Sequence, residues 1–216
     1  MSHALRGTLR PEIMVIRSVL QRRARALSFC VLTAAAGGVA ACDDPIGLQA
    51  GIGTLTDTFT VFALSGTPSN VPVALSTTDR IAVRMADQLA FDVAFDIDAS
   101  GSIKAFPVRQ VVPFRVIAGI LQPTHRVGLQ KSTTAFDNLT RAPSGGYNYD
   151  SATVVRAGES LVVEVQAAQC SFSFSPNLYT KIAIDSVFTA SRSIRIRTVH
   201  DPNCGFRSFK PGIPKD

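Results

Sequence analysis

"LAFDVAFDI", residues 89–97, decides the reading of the fold. Leu89, Phe91, Val93, Phe95 and Ile97 fall on one side of an extended chain, and Ala90, Asp92, Ala94 and Asp96 on the other. Successive side chains of a strand point to opposite faces, so this alternation predicts a strand with one buried face. The four polar-side residues are then expected on a solvated face. "DASG" (98–101) supplies turn formers, and "SIKAFPV" (102–108) is placed to return as the partner strand.

The same pattern recurs outward from this hairpin. "TLTDTFTVFAL" (54–64) carries β-branched and aromatic residues at strand spacing. "ATVVRAGESLVVEVQA" (152–167) reads as a hairpin turning at Gly158-Glu159. "TKIAIDSVF" (180–188) and "SIRIRTV" (193–199) read as another, turning through "TASR", with Arg195 and Arg197 toward solvent. "QVVPFRVIAGIL" (110–121) is apolar but contains Pro113, which argues against a central strand or an unbroken helix. "TTDRIAVRMADQ" (77–88) fits a short helix or a strand. No internal repeat and no long amphipathic helix is present. The expectation is an all-β fold of about eight to ten antiparallel strands, a β-sandwich or an open barrel, as a single domain after a cleaved N-terminal signal peptide.

The leader is read from charge and composition. The formal net charge of the 216 residues is +6. Residues 1–41 hold six of the 22 bases and one of the 16 acids, which leaves 16 bases against 15 acids in the rest. A nucleic-acid partner therefore loses its electrostatic support. Arg22, Arg23 and Arg25 precede "ALSFCVLTAAAGGVAAC", a basic region followed by an apolar run ending in small residues. The run from Ala26 to Ala41 is 16 residues, short of the ~20 that a membrane-spanning helix needs. Met14 is an alternative start to Met1.

Val39-Ala40-Ala41-Cys42 resembles the lipobox of bacterial lipoproteins. The resemblance implies that Cys42 receives a diacylglycerol, that residues 1–41 are removed, and that the chain is lipid-anchored outside the cytoplasm in a bacterial cell envelope. Two or three acyl chains, at about 0.8 kcal/mol per buried CH₂, hold a protein stably on a membrane. Residues 42–53 are then the lipidated cysteine and a flexible tether, and 54–216 the β-rich domain. Cys30 leaves with the leader. The remaining pair, Cys170 and Cys204, in an oxidising compartment, most simply forms a disulfide. The competing use is a metal site at "HDPNC" through His200 and Cys204, which supplies too few ligands by itself.

Motifs for catalysis are missing. The chain has no G-x-S-x-G, no H-E-x-x-H, no C-x-x-C and no phosphate loop in a strand-to-helix context. After the leader only His125 and His200 remain as histidines. The expectation is a protein that is not an enzyme. "DIDASGSI" (96–103) is similar to the first part of a calcium loop, with Asp96, Asp98 and Ser100 as oxygen donors, but Pro107 stands where a bidentate Glu is required. A polar turn explains the same residues. Asp92 and Asp96 share a strand face as paired carboxylates, for which a solvated face is the plain account. Tyr147 and Tyr149 in "SGGYNYD" (144–150) serve equally as a loop binding surface or as cover for the sandwich.

Three stretches, "FDVAFDIDASGSI" (91–103), "AFDNLTRAPSGGYNYD" (135–150) and "YTKIAIDSVF" (179–188), resemble in order segments of the HmuY-like haem-binding lipoproteins. That resemblance implies an all-β fold, a lipid anchor and a haem held by axial His or Met side chains. His125, His200 and Met85 are the side chains on offer, His125 foremost because it lies in a Pro-marked loop between apolar segments. The functional expectation is a membrane-anchored extracytoplasmic lipoprotein with a non-enzymatic binding or structural module. A small molecule or an envelope protein is its partner, and an HmuY-like haem carrier is the alternative. No resident cofactor is expected, with haem or Ca²⁺ as the two exceptions considered.

Overall fold

In the computed structural model the described residues are 50–87 and 90–214. The leader, Cys42, most of the tether and the side chain of Leu89 lie outside them. Twelve strands occur: β1 (Leu55–Phe62), β2 (Ala74–Ser76), β3 (Ile81–Val83), β4 (Val93–Ile97), β5 (Ile103–Pro107), β6 (Phe114–Ile117), β7 (Ile120–Pro123), β8 (Val127–Ser132), β9 (Thr153–Val155), β10 (Ser160–Gln166), β11 (Asn177–Phe188) and β12 (Ser193–Asp201). One helical turn, α1 (Val108–Val111), follows β5. All pairings are antiparallel. One five-stranded sheet has the order β1-β12-β11-β10-β8, the other β3-β2-β4-β5-β9, and β6-β7 form a separate two-stranded ribbon. The fold is an all-β sandwich.

The core lies between the two sheets. Val93, Phe95, Ile97 and Ile103 from one sheet meet Leu129, Leu161, Val163, Ile182, Ile184, Ile194 and Ile196 from the other. The alternation read at 89–97 places Phe91, Val93, Phe95 and Ile97 inside, as expected. The β4–β5 and β11–β12 hairpins are also as read. Arg195 is exposed and Arg197 half-buried beside Asp185.

Two local readings are corrected. Residues 152–167 do not form a hairpin, because β9 pairs with β5 and β10 pairs with β8 and β11. The Gly158 turn, at φ 83°, carries the chain from one sheet to the other. β10 is buried on both faces at Val162 and Val163, so it takes a central position that a two-stranded hairpin does not provide. Asp92 is not on a solvated face. Asp92 is 2% exposed, one residue ahead of β4, and Ala94 within β4 is fully buried, so the strand is covered on both faces there.

The outer face of the β1-β12-β11-β10-β8 sheet is covered too. Phe136, Leu139, Ala142, Tyr147 and Phe209 pack on Val162, Tyr179, Ala183 and Val199. Lys181 is buried in this layer, where its Nζ donates to the carbonyls of Phe136 (2.6 Å) and Leu139 (3.0 Å) and lies 4.2 Å from the Phe136 ring centroid. Glu164 accepts from the hydroxyls of Tyr149 (2.5 Å) and Tyr179 (2.9 Å). Burial and the Glu164 charge push both phenols up to about 12. Tyr147 and Tyr149 therefore cover the sheet. Gly128 is glycine for the same reason: a Cβ there would meet the Tyr147 and Tyr149 side chains.

Cys170 and Cys204 form a disulfide with Cα atoms 5.5 Å apart. Next to it Asn203 clasps the start of the body. Its Oδ1 accepts from the amides of Gly51 and Ile52, and its Nδ2 donates to the Ile52 carbonyl. Residues 51–53, expected to be tether, thus belong to the folded body. No helix among the described residues is long and apolar enough to cross a membrane.

Candidate functional site

Asp92 is the centre of the most developed polar site. Its amide bonds the Leu75 carbonyl and its carbonyl accepts from Val108, so its backbone continues the pairing of β4 with its neighbours. The side chain turns to the loop after β2. Oδ2 accepts from the Thr77 amide (2.5 Å), the Thr77 hydroxyl (2.7 Å) and the Thr78 amide (3.1 Å). Oδ1 accepts from His125 Nε2 at 2.6 Å. Burial alone would raise the carboxyl, but the His125 bond and charge, with the Thr77 and Thr78 donors, hold it below the usual carboxylate range. His125 sits between β7 and β8, partly exposed, with Nδ1 as its open ring nitrogen.

These groups open on a cleft of about 230 Å³ at one end of the sandwich. Besides Asp92 and His125, its walls include Thr78, Asp79, Arg115, Gln166 and Gln169. Asp79 is already bonded to the Ser76 hydroxyl (2.8 Å). Arg115 adds hydrogen-bond donors to the wall, and the amides of Gln166 and Gln169 add both donors and acceptors. A larger space of about 400 Å³ lies between Thr140, Arg141, Ser208 and Lys210. It adjoins the end of the described chain and receives no buried side chain comparable to Asp92.

Behind the cleft runs a second polar row. Asp57 and Arg80 form a two-bond pair at 2.6 Å each. His200, 3% exposed, bonds the Thr180 hydroxyl through Nδ1 at 2.8 Å. Burial, then the nearby Arg80 charge, push His200 down to about 4. It is therefore neutral at pH 7.

The structure separates the other residues singled out in sequence. Of the three haem-ligand candidates only His125 lines the cleft. His200 is one row deeper, and Met85 is half-buried against the main core. The His125 Nε2 is held by Asp92. The cleft is small at about 230 Å³, against roughly 300–1,000 Å³ for typical ligand pockets, and its walls mix polar side chains with Ala90, Val165, Ala167 and Ala168. His125, His200 and Met85 are thus not brought together around one space. The 96–100 carboxylates also diverge. Asp98 Oδ1 accepts from the Ser100 amide and hydroxyl and from the Ser102 amide, which closes the β4–β5 turn. Asp96 faces the other way, to Ser65 and Arg192. Ser100, as a donor to Asp98, completes a polar turn. Among the described residues no group of three or more His, Cys, Asp or Glu is placed to hold a metal. Cys204, in the disulfide, is no partner for His200.

The Asp92–His125 pair resembles the orienting half of a catalytic triad, and among the described residues no hydroxyl is hydrogen-bonded to the His125 ring. The Thr77 hydroxyl is spent on Asp92 and that of Ser76 on Asp79. What the arrangement provides is a rigid imidazole in a small recess that Arg115 also lines. Asp92 and His125 are 33 residues apart, with no local motif to link them in sequence. No protein-family model, curated protein or solved structure gives a significant match to this chain.

Proposed function

We propose that the protein is an extracytoplasmic lipoprotein of the bacterial envelope, anchored through Cys42, whose sandwich is a non-enzymatic binding module. Its cleft takes a small polar molecule carrying an acceptor group such as a carboxylate. The observation that carries the ligand reading is His125, locked by a buried and fully satisfied carboxylate yet open to the cleft that Arg115 also lines. Such pre-organisation reduces the ordering cost of binding. The Cys170–Cys204 disulfide supports the oxidising compartment that the anchor requires.

Mass spectrometry of protein extracted from host membranes tests the anchor. The expected N-terminal peptide begins at an acylated Cys42; a peptide retaining earlier residues overturns it. Calorimetric titration of the processed chain with acetate, glycine and inorganic phosphate tests the cleft. Binding of at least one, lost in His125→Ala, is expected, and no heat from any of them overturns the reading. Haemin is the contrasting arm, because a Soret shift lost in His125→Ala would replace this reading with the haem-carrier alternative.

A further inference from the structure

The β6–β7 ribbon is the least expected feature of the surface. All eight of its strand residues are exposed, and so are the two between them. Ala118 and Gly119 turn it with φ of 52° and 81°. The pairing sets its two faces. Phe114, Val116, Leu121 and Pro123 share one; Arg115, Ile117, Ile120 and Gln122 share the other. The distal half, residues 116–121, is therefore apolar on both sides, and the polar pair Arg115–Gln122 lies at the base. A two-stranded ribbon gains little stability in water, and exposed apolar surface of this kind marks an interaction site.

The ribbon's position says what that partner is. The ribbon joins the body through Thr124, whose amide and hydroxyl bond the carbonyls of Pro113 and Val112. Arg126 then bonds Gln166, so the ribbon leaves from the end of the sandwich where β10 finishes and β11 begins. That is also the end where Asn203 clasps Gly51 and Ile52. The loop between β10 and β11 adds Phe172, fully exposed, and Phe174, more than half exposed. From Cys42 to Ala50 the chain spans at most about 29 Å. β11 is 12 residues long, which puts its far end about 36 Å from this one.

We propose that this end of the sandwich docks on the lipid bilayer, with residues 116–121 of the ribbon inserted at the boundary of headgroups and acyl chains and Phe172 as a second contact. A partner protein's groove covers one face of a ribbon, but a hydrocarbon medium surrounds both, and both faces of this tip are apolar. The tip extends roughly 10 Å beyond the base, comparable with the 5–10 Å depth of interfacial segments. The inference rests on the Cys42 anchor for its orientation, although the ribbon's chemistry does not.

The chain contains no tryptophan, so a single introduced one reports its own surroundings. Membrane-extracted protein bearing Val116→Trp, and separately Leu121→Trp, is reconstituted into phosphatidylcholine–phosphatidylglycerol vesicles with and without brominated acyl chains. Phe188→Trp, at the opposite end of β11, is the control. The expected result is a blue-shifted emission that loses most of its intensity to bromine for both ribbon variants and not for Phe188→Trp. An acylated Cys42 with unquenched ribbon variants overturns the inference and leaves the anchor standing. Quenching in a chain that is not acylated keeps the inference and removes the anchor. Emission already blue before vesicles are added, at twice the monomer mass in sedimentation, means a second copy covers the ribbon and also overturns it.

Discussion

Asp92 shows how one side chain's environment replaces its apparent pattern. By alternation it belongs outside, yet four donated bonds compensate its burial. Removing a satisfied, buried charge leaves its donors unpaired, which costs more than the bonds contributed. Asp92→Ala is expected to lower stability by about 2–4 kcal/mol, and Thr77→Val by about 1 kcal/mol, measured as shifts in urea midpoint. The His125 imidazole resonances of Asp92→Ala should also broaden as the ring loses its fixed partner. The Asp92–His125 contact was not legible in sequence, because no periodicity relates the loop after β7 to the residue before β4.

At the scale of elements, the outer layer over the β1-β12-β11-β10-β8 sheet is held by two buried polar groups, Lys181 and Glu164. Lys181 ties the 136–139 turn to β11 by two carbonyl bonds, against a desolvation cost that lowers its pKa. Lys181→Ala should destabilise the protein by about 1–3 kcal/mol and raise hydrogen exchange across residues 136–142 more than across β4 and β5. Gly128→Ala is expected to displace Tyr147 and Tyr149 at a cost of about 1–3 kcal/mol, with protection lost first in residues 145–151. Strand identities were largely readable, because a one-sided strand must alternate. Strand partners were less so. β9 and β10 look like a hairpin on paper, but the two-faced burial of Val162 and Val163 requires neighbours on both sides of β10.

For the molecule as a whole, acid and the disulfide set its stability. Folded His200 titrates near 4 and an unfolded histidine near 6.5, so between these values only the unfolded chain takes up the proton. Stability is expected to fall by on the order of 3 kcal/mol as pH drops from 6.5 to 4. The depressed carboxyls of Asp92 and Asp96 add a further loss below about pH 4, as pH falls through their folded values. Urea midpoints at pH 7, 5.5 and 4.5 should show this slope, and His200→Gln should flatten it above pH 4.5. Reduction of Cys170–Cys204, or the double Cys→Ala variant, is expected to cost about 2–4 kcal/mol and to speed hydrogen exchange at residues 51–54. An unchanged midpoint would show that the Asn203 clasp holds that end without the bridge.

The sequence by itself determined the class of fold, the β4–β5 and β11–β12 hairpins and the cysteine pairing. The fold class and hairpins follow from short-range periodicity, and the pairing from Cys170 and Cys204 being the two cysteines that fall within the β-rich body. Tertiary structure alone decided which strands share a sheet, that Asp92 is buried, that Met85 and His200 stand apart from His125, and that the ribbon of residues 114–123 stands exposed where the chain enters the body. Those outcomes depend on contacts between residues tens of positions apart, where burial and hydrogen bonding act across the fold and leave no period in the chain.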